Sequence, residues 1–191
     1  MKTSRETGRF FEHYSSDSLD VIAPCKDTLA ILKVNDTNIT TISPNEYTTL
    51  FRLECRNTQI TAFSANDSTL EYVDISGNTL LTQVNVERTT TVKTVIMDDC
   101  PALSIAYMFG NEVLETISAK NNSAMTQIQP QGNPYLELMD LTNAIMLQDG
   151  KVLENSGTSS GSLTVIVTGT TLTEGSFPNW DDSYMTLVNE G

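Results

Sequence analysis

With 24 Asp and Glu against 11 Lys and Arg in 191 residues, the chain carries a formal charge of −13 at pH 7. It lacks the Lys/Arg clusters from which affinity for phosphate comes, so nucleic acid and anionic membrane surfaces are excluded as partners, and basic partners or bound cations are favoured. No segment approaches the roughly 20 apolar residues of a membrane helix, which excludes insertion into a bilayer, and the length is that of one domain able to bury a sizeable core.

Residues 1–28 hold Phe10, Phe11, Tyr14, Leu19, Val21 and Ile22 without an apolar run, and Lys2, Arg5 and Arg9 without the hydrophobic stretch of a secretory signal. The segment is expected to be an N-terminal cap. If Met1 is the native start, synthesis is cytosolic without a signal peptide, or the chain is a mature form from which a signal was cut.

From Leu29 one frame recurs: an apolar residue, a second three places on, a third two places later, and a small polar residue three places after that. It starts at Leu29, Leu50, Leu70, Val92, Leu114 and Leu136, in steps of 21, 20, 22, 22 and 22 residues. A unit this short cannot bury its own apolar face and gains a core only by stacking on its neighbours. The alternation about Leu53 and Cys55, or Val73 and Ile75, points these side chains to one face of a short strand. The polar place holds Thr37, Thr58, Asn78, Cys100 and Asn122 and fails at Ala144. There the chain leaves the sheet, and a short polar side chain satisfies the turn's backbone groups away from water. The return paths, such as Ser43 to Thr49 and Ala65 to Thr69, are short and rich in Asn, Pro, Asp and Ser, which suits turns or a single 3₁₀ turn.

These frames resemble the leucine-rich repeat family, whose pattern is L-x-x-L-x-L-x-x-(N/C)-x-L. The resemblance spans about residues 29 to 147 and implies a repeat solenoid with a single parallel β-sheet on one face, turns, 3₁₀ or extended segments on the back, and little helix. A three-stranded parallel β-helix is the rival, against which stands the one clear strand per repeat. The expected organisation is a cap over 1–28, a solenoid of about six repeats over 29–149, and a C-terminal strand and cap over 150–191. In the last segment a Gly/Ser/Asn-rich break at 150–161 precedes Leu163, Val165 and Val167, which alternate as a seventh coil or cap would; Phe177, Pro178 and Trp180 follow, and Trp180 is expected to plug the cap, with an exposed contact residue the alternative.

The residues supply little chemistry. His13 has no Ser or Cys partner at a recognisable spacing, and no phosphate loop, paired-cysteine metal site or dinucleotide fingerprint is found, so the chain is expected not to be an enzyme and to need no cofactor or metal. Asp98–Asp99 and Asp181–Asp182 are adjacent acidic pairs that read as solvated carboxylates in the absence of further ligands. Cys55 and Cys100 are expected to be buried free thiols. Asp74, Asp98 and Lys120 share one face, and a polysaccharide-cleaving groove of the β-helix type is the enzymatic alternative. The expected contact surface is the solvent side of the sheet, with rows Ile31, Arg52, Tyr72, Thr94, Thr116, Leu138; Lys33, Glu54, Asp74, Ile96, Ser118, Asp140; and Asn35, Arg56, Ser76, Asp98, Lys120, Thr142. Of these, Arg52, Tyr72, Glu54, Asp74, Arg56, Ile96, Asp98, Lys120 and Asp140 are the candidate binding residues. The expected function is a non-enzymatic interaction or structural module with a protein partner or larger assembly. A phage or viral virion component, capsid decoration or fibre, is the expected setting, and a bacterial surface adhesin for protein or glycan the alternative.

Overall fold

The computed structural model describes residues 9–12, 27–147, 162–176 and 185–190. His13, Tyr14, Leu19, Val21, Ile22, Cys25, the 150–161 break, Phe177, Pro178, Trp180 and Asp181–Asp182 lie outside the described residues. The strands in chain order are β1 (Arg9–Glu12), β2 (Leu29–Lys33), β3 (Arg52–Glu54), β4 (Ala62–Ser64), β5 (Tyr72–Asp74), β6 (Gln83–Asn85) and β7 (Thr94–Ile96). They continue with β8 (Ile105–Tyr107), β9 (Thr116–Ser118), β10 (Gln127–Gln129), β11 (Leu138–Asp140), β12 (Leu163–Ile166) and β13 (Met185–Val188). The chain is a parallel β-solenoid of about six turns with almost no helix.

Nine strands form one parallel sheet in the order β1-β2-β3-β5-β7-β9-β11-β12-β13. The flanking segments therefore join the repeats, since β1, β12 and β13 extend the same ladder. Leu53 pairs with Val73, Val73 with Val95 and Val95 with Ile117, all fully buried, so each coil covers the apolar face of the one before.

The back of the solenoid departs from the expected turns. A 3₁₀ turn, Pro44–Glu46, occupies the first return path, but four later ones hold β4, β6, β8 and β10, which pair in parallel as a second sheet. The reason lies in the repeat unit, which is half as long as the coil. From Leu70 the same frame restarts at Leu81, Val92, Leu103, Leu114, Met125, Leu136 and Leu147, in steps of 11 residues, and all eight residues are buried. The fourth and sixth places follow suit: Val73 and Ile75, Val84 and Val86, Val95 and Met97, Ala106 and Met108. Alternate units feed alternate sheets, so two units make one coil.

Each unit ends in the same corner. Its eighth residue has a positive φ at Asp36, Asn57, Asp67, Gly77, Arg88, Asp99, Gly110, Asn121, Gly132, Asn143 and Gly169, between 52° and 72°. Asn, Asp and Gly tolerate this conformation best, which explains their recurrence here. Arg88 is the exception, and its guanidinium lies 5.3 Å from the Phe109 ring centroid. A Cβ added at Gly77 would overlap the Asn57 side-chain oxygen, whereas at Gly132 the nearest atom would be 3.5 Å away, an ordinary contact. Gly132→Ala should then cost only the left-handed strain, about 1–2 kcal/mol. Gly77→Ala should cost about 1 kcal/mol more, because it also displaces Asn57 from its 2.8 Å bond to Asp36. Urea denaturation of the two variants measures the difference.

The ninth residue closes the corner. Asn78 Nδ2 donates to the carbonyls of Ile75 at 2.6 Å and Cys55 at 2.8 Å, and its Oδ1 accepts the Thr58 N–H and hydroxyl, both at 2.7 Å. Asn111, Asn122 and Asn133 bridge coils in the same way, and all four side chains are fully buried.

Candidate functional site on the sheet face

Period-two alternation sends the third and fifth residues of each unit outward. On the nine-stranded sheet these stack as expected: Ile31, Arg52, Tyr72, Thr94, Thr116 and Leu138 in one row, Lys33, Glu54, Asp74, Ile96, Ser118 and Asp140 in the next. Arg56, Ser76, Asp98, Lys120 and Thr142 form the third, carried by the ladder of backbone bonds at the corner.

Five of the nine candidate residues converge. Arg52 Nε donates to Glu54 Oε1 at 2.8 Å, Arg56 Nη2 donates to Glu54 Oε2 at 3.1 Å, and Lys33 Nζ lies 3.4 Å from Oε1. Arg56 Nε stands 3.7 Å from Asp74 Oδ2, which ties the second coil to the third. The Arg52 guanidinium stacks over the Tyr72 ring at 3.8 Å. Glu54 is only 4% exposed on a face that would otherwise be open to water, because these side chains cover it. Burial pushes the Glu54 carboxyl up, but the Arg52 hydrogen bond and the charges of Lys33 and Arg52 outweigh it and hold the carboxyl below its ordinary range. Burial and the Asp74 charge push the Tyr72 phenol up.

A group whose folded pKa is lowered stabilises the fold above its ordinary pKa, and that contribution disappears as pH falls through the lowered value. Glu54→Gln should therefore lower stability at pH 7 and make little difference at about pH 2. The three cations are 31–45% exposed and recover water, so the loss should lie between that of a surface pair and a buried one, about 1–2 kcal/mol. Urea midpoints of wild type and variant at the two pH values check it.

The other four candidates stand apart from this cluster. Lys120 Nζ pairs with Asp98 Oδ2 at 3.2 Å, while Asp98 Oδ1 accepts the Ser118 hydroxyl at 2.7 Å and the Lys120 N–H at 2.9 Å. The Asp98 hydrogen bond and charge push the Lys120 ammonium up. Asp140 accepts the Thr142 hydroxyl and N–H inside its own turn, and Ile96 is a half-buried apolar spacer between the two charged groups. Asp74, in the second row, pairs with Ser76 and Arg56, whereas Asp98, in the third, pairs with Lys120, so the three residues of the enzymatic alternative are divided between two sets of partners. Asp99 accepts from Asn121, turned away from Asp98's partners.

Cys55 and Cys100 are free and buried, with burial pushing their thiols up to about 11 and about 12. Among the described residues no group of three or more His, Cys, Asp or Glu could hold a metal, and no helix is long and apolar enough to cross a membrane.

The second sheet was not foreseen, and its outward face differs in kind. Ala62, Ser64, Gln83, Asn85, Ile105, Tyr107, Gln127 and Gln129 carry no charge. Of the two outward sheet faces, only that of the larger sheet carries ionic side chains. Comparison with family models, with curated proteins and with solved structures finds no match to this chain.

Proposed function

We propose that the chain is a non-enzymatic interaction module of the leucine-rich-repeat kind, which holds a protein partner against the outward face of the nine-stranded sheet within a larger assembly. Abundant Thr, Asn and Ser, few lysines and strong acidity suit a component of a phage or viral particle, such as a decoration or fibre element.

The observation that carries the reading is the cluster on β2, β3, β5 and the corner after β3: Lys33, Arg52, Glu54, Arg56, Tyr72 and Asp74 locked together on an outward surface. The apolar core is built from inward residues and includes none of these six side chains. Arginine and tyrosine held in one geometry before contact lose little side-chain freedom on binding, which is why such residues dominate interface energies. Affinity capture from the native source with the wild-type chain and with Tyr72→Ala tests this. Capture of a defined partner that falls at least about tenfold in Tyr72→Ala, with an unchanged melting temperature, is the expected result. Equal retention by both forms removes the sheet face as the contact surface.

A further inference from the structure

Beside the sheet face, at the corner where the chain enters β3 and β5, an open groove encloses about 400 Å³ across the first three coils. Its lining includes Ala30, Thr48, Thr49, Thr69 and Thr91 together with Phe51 and Glu71. The volume lies within the range of small-ligand sites.

The threonines are not free to donate. The Thr49 hydroxyl donates to the Leu29 carbonyl at 2.8 Å, Thr69 to the Leu50 carbonyl at 2.7 Å, Thr91 to the Leu70 carbonyl at 2.8 Å, and Thr48 to the Asp27 carboxylate at 3.1 Å. A hydroxyl has one proton and two lone pairs, so each of these oxygens can offer the groove lone pairs only. The Phe51 and Glu71 N–H groups are engaged as well, with the carbonyls of Ala30 and Phe51. The remaining lining adds a carboxylate and an aromatic ring. In the later coils the threonine column is taken over by Val113 and the exposed Tyr135, so this hydroxyl-lined stretch belongs to the first three coils alone.

Threonine hydroxyls that accept and do not donate select their ligand by chemistry. A sugar brings lone pairs as well as protons, and its oxygens would meet oxygens. A guanidinium brings donors only, carries the charge that an acidic protein attracts, and has a planar face that stacks on an aromatic ring. We infer that this groove receives the guanidinium of an arginine side chain presented by a protein partner. The site is separate from the sheet-face cluster, so its failure would leave that reading standing.

Titration of the intact chain with acetyl-Gly-Arg-Gly-amide, followed by amide chemical shifts, tests the assignment, with the citrulline peptide as an uncharged control of the same shape. The shifts are expected to centre on Thr49, Phe51, Thr69 and Glu71, with the citrulline peptide at least about tenfold weaker. Affinity should drop at least about fivefold in Glu71→Gln and in Thr69→Val, but not in Glu174→Gln, which removes the same charge elsewhere. Should Thr69→Val fail to fold, the Glu71→Gln and Glu174→Gln pair decides. Shifts scattered over the acidic surface, equal losses in both glutamate variants, stronger binding of a neutral glucose trisaccharide at the same amides, or no groove shift at millimolar peptide would each overturn the inference.

Discussion

Replacing Asn78 by alanine should cost about 3–6 kcal/mol, a loss that the equally buried and equally bonded Asn111 should match. The amide is fully buried and bridges two coils through four hydrogen bonds. Its removal leaves the Ile75 and Cys55 carbonyls and the Thr58 N–H and hydroxyl without that partner where water does not reach. A buried polar group left unpaired costs about 1–3 kcal/mol, and even the low end of that range summed over these groups approaches the whole stability of many domains. Asn78→Asp is the sharper test. It retains acceptors for Thr58 but turns an anionic oxygen toward two carbonyls that need donors, so it should be at least as damaging at pH 7 despite its nearly identical shape. Equilibrium urea unfolding of both variants decides it: losses below about 1 kcal/mol would mean that the corner ladder does not tie the coils together.

The same corner shows how far the sequence could be read. Thr37, Thr58, Asn78, Cys100 and Asn122 stand out because their phase is kept while their neighbours change, and they prove to be buried polar residues or a buried thiol after β2, β3, β5, β7 and β9 of the larger sheet. One place earlier, Asp36, Asn57, Gly77, Asp99, Asn121 and Asn143 hold the left-handed conformation. Their run of Asp, Asn and Gly was visible in the sequence, but its meaning depends on backbone angles rather than on apolar periodicity. The second sheet was harder to see. Leu81 and Val84, Leu103 and Ala106, Met125 and Ile128 repeat the main frame half a coil later, but β4, β6, β8 and β10 are three residues long with a single buried side chain each. In the first two coils the spacing slips: Leu50, Ile60 and Leu70 are ten residues apart instead of 11, which blurs the half-coil period.

The face residues were legible as rows because a constant step fixes which side chains are neighbours across coils. Which of them meet was not. Arg52, Glu54 and Arg56 are two apart on one strand, so their convergence needed only the alternation, whereas the stacking of Arg52 on Tyr72 and the reach of Arg56 to Asp74 depend on rotamers that periodicity does not specify. The corner groove was illegible for a related reason. Threonine after threonine in the chain looks like composition, and only the direction of each hydroxyl turns the column into a wall of acceptors.

Val84→Asp should unfold the chain or nearly so, while Gln83→Asp, one residue away, should be tolerated. Val84 is fully buried between the two sheets, and Gln83 points outward on the same three-residue strand. An aspartate at position 84 would have no cation or donor in the apolar interior, where burial raises a carboxyl pKa by up to about 3–5 units; the folded chain then holds it neutral at pH 7, about 3 units above its ordinary pKa, at a cost of about 4 kcal/mol before lost packing is counted. An aspartate at position 83 stays in water and should change stability by less than about 0.5 kcal/mol. The pair separates two views of the back of the solenoid. If it were the irregular connection that the return paths suggested, adjacent residues would respond alike, and the alternation of a second sheet requires that they do not. Melting temperatures of the two variants, measured at pH 7 and again at about pH 4, give the answer, and Val84→Asp should recover part of its loss at the lower pH, where the unfolded chain's carboxyl begins to take up the proton that the buried one already holds. A solenoid stacked on shared apolar residues has no way to confine that damage to one coil, because each sheet position in the middle of the stack is covered from both sides.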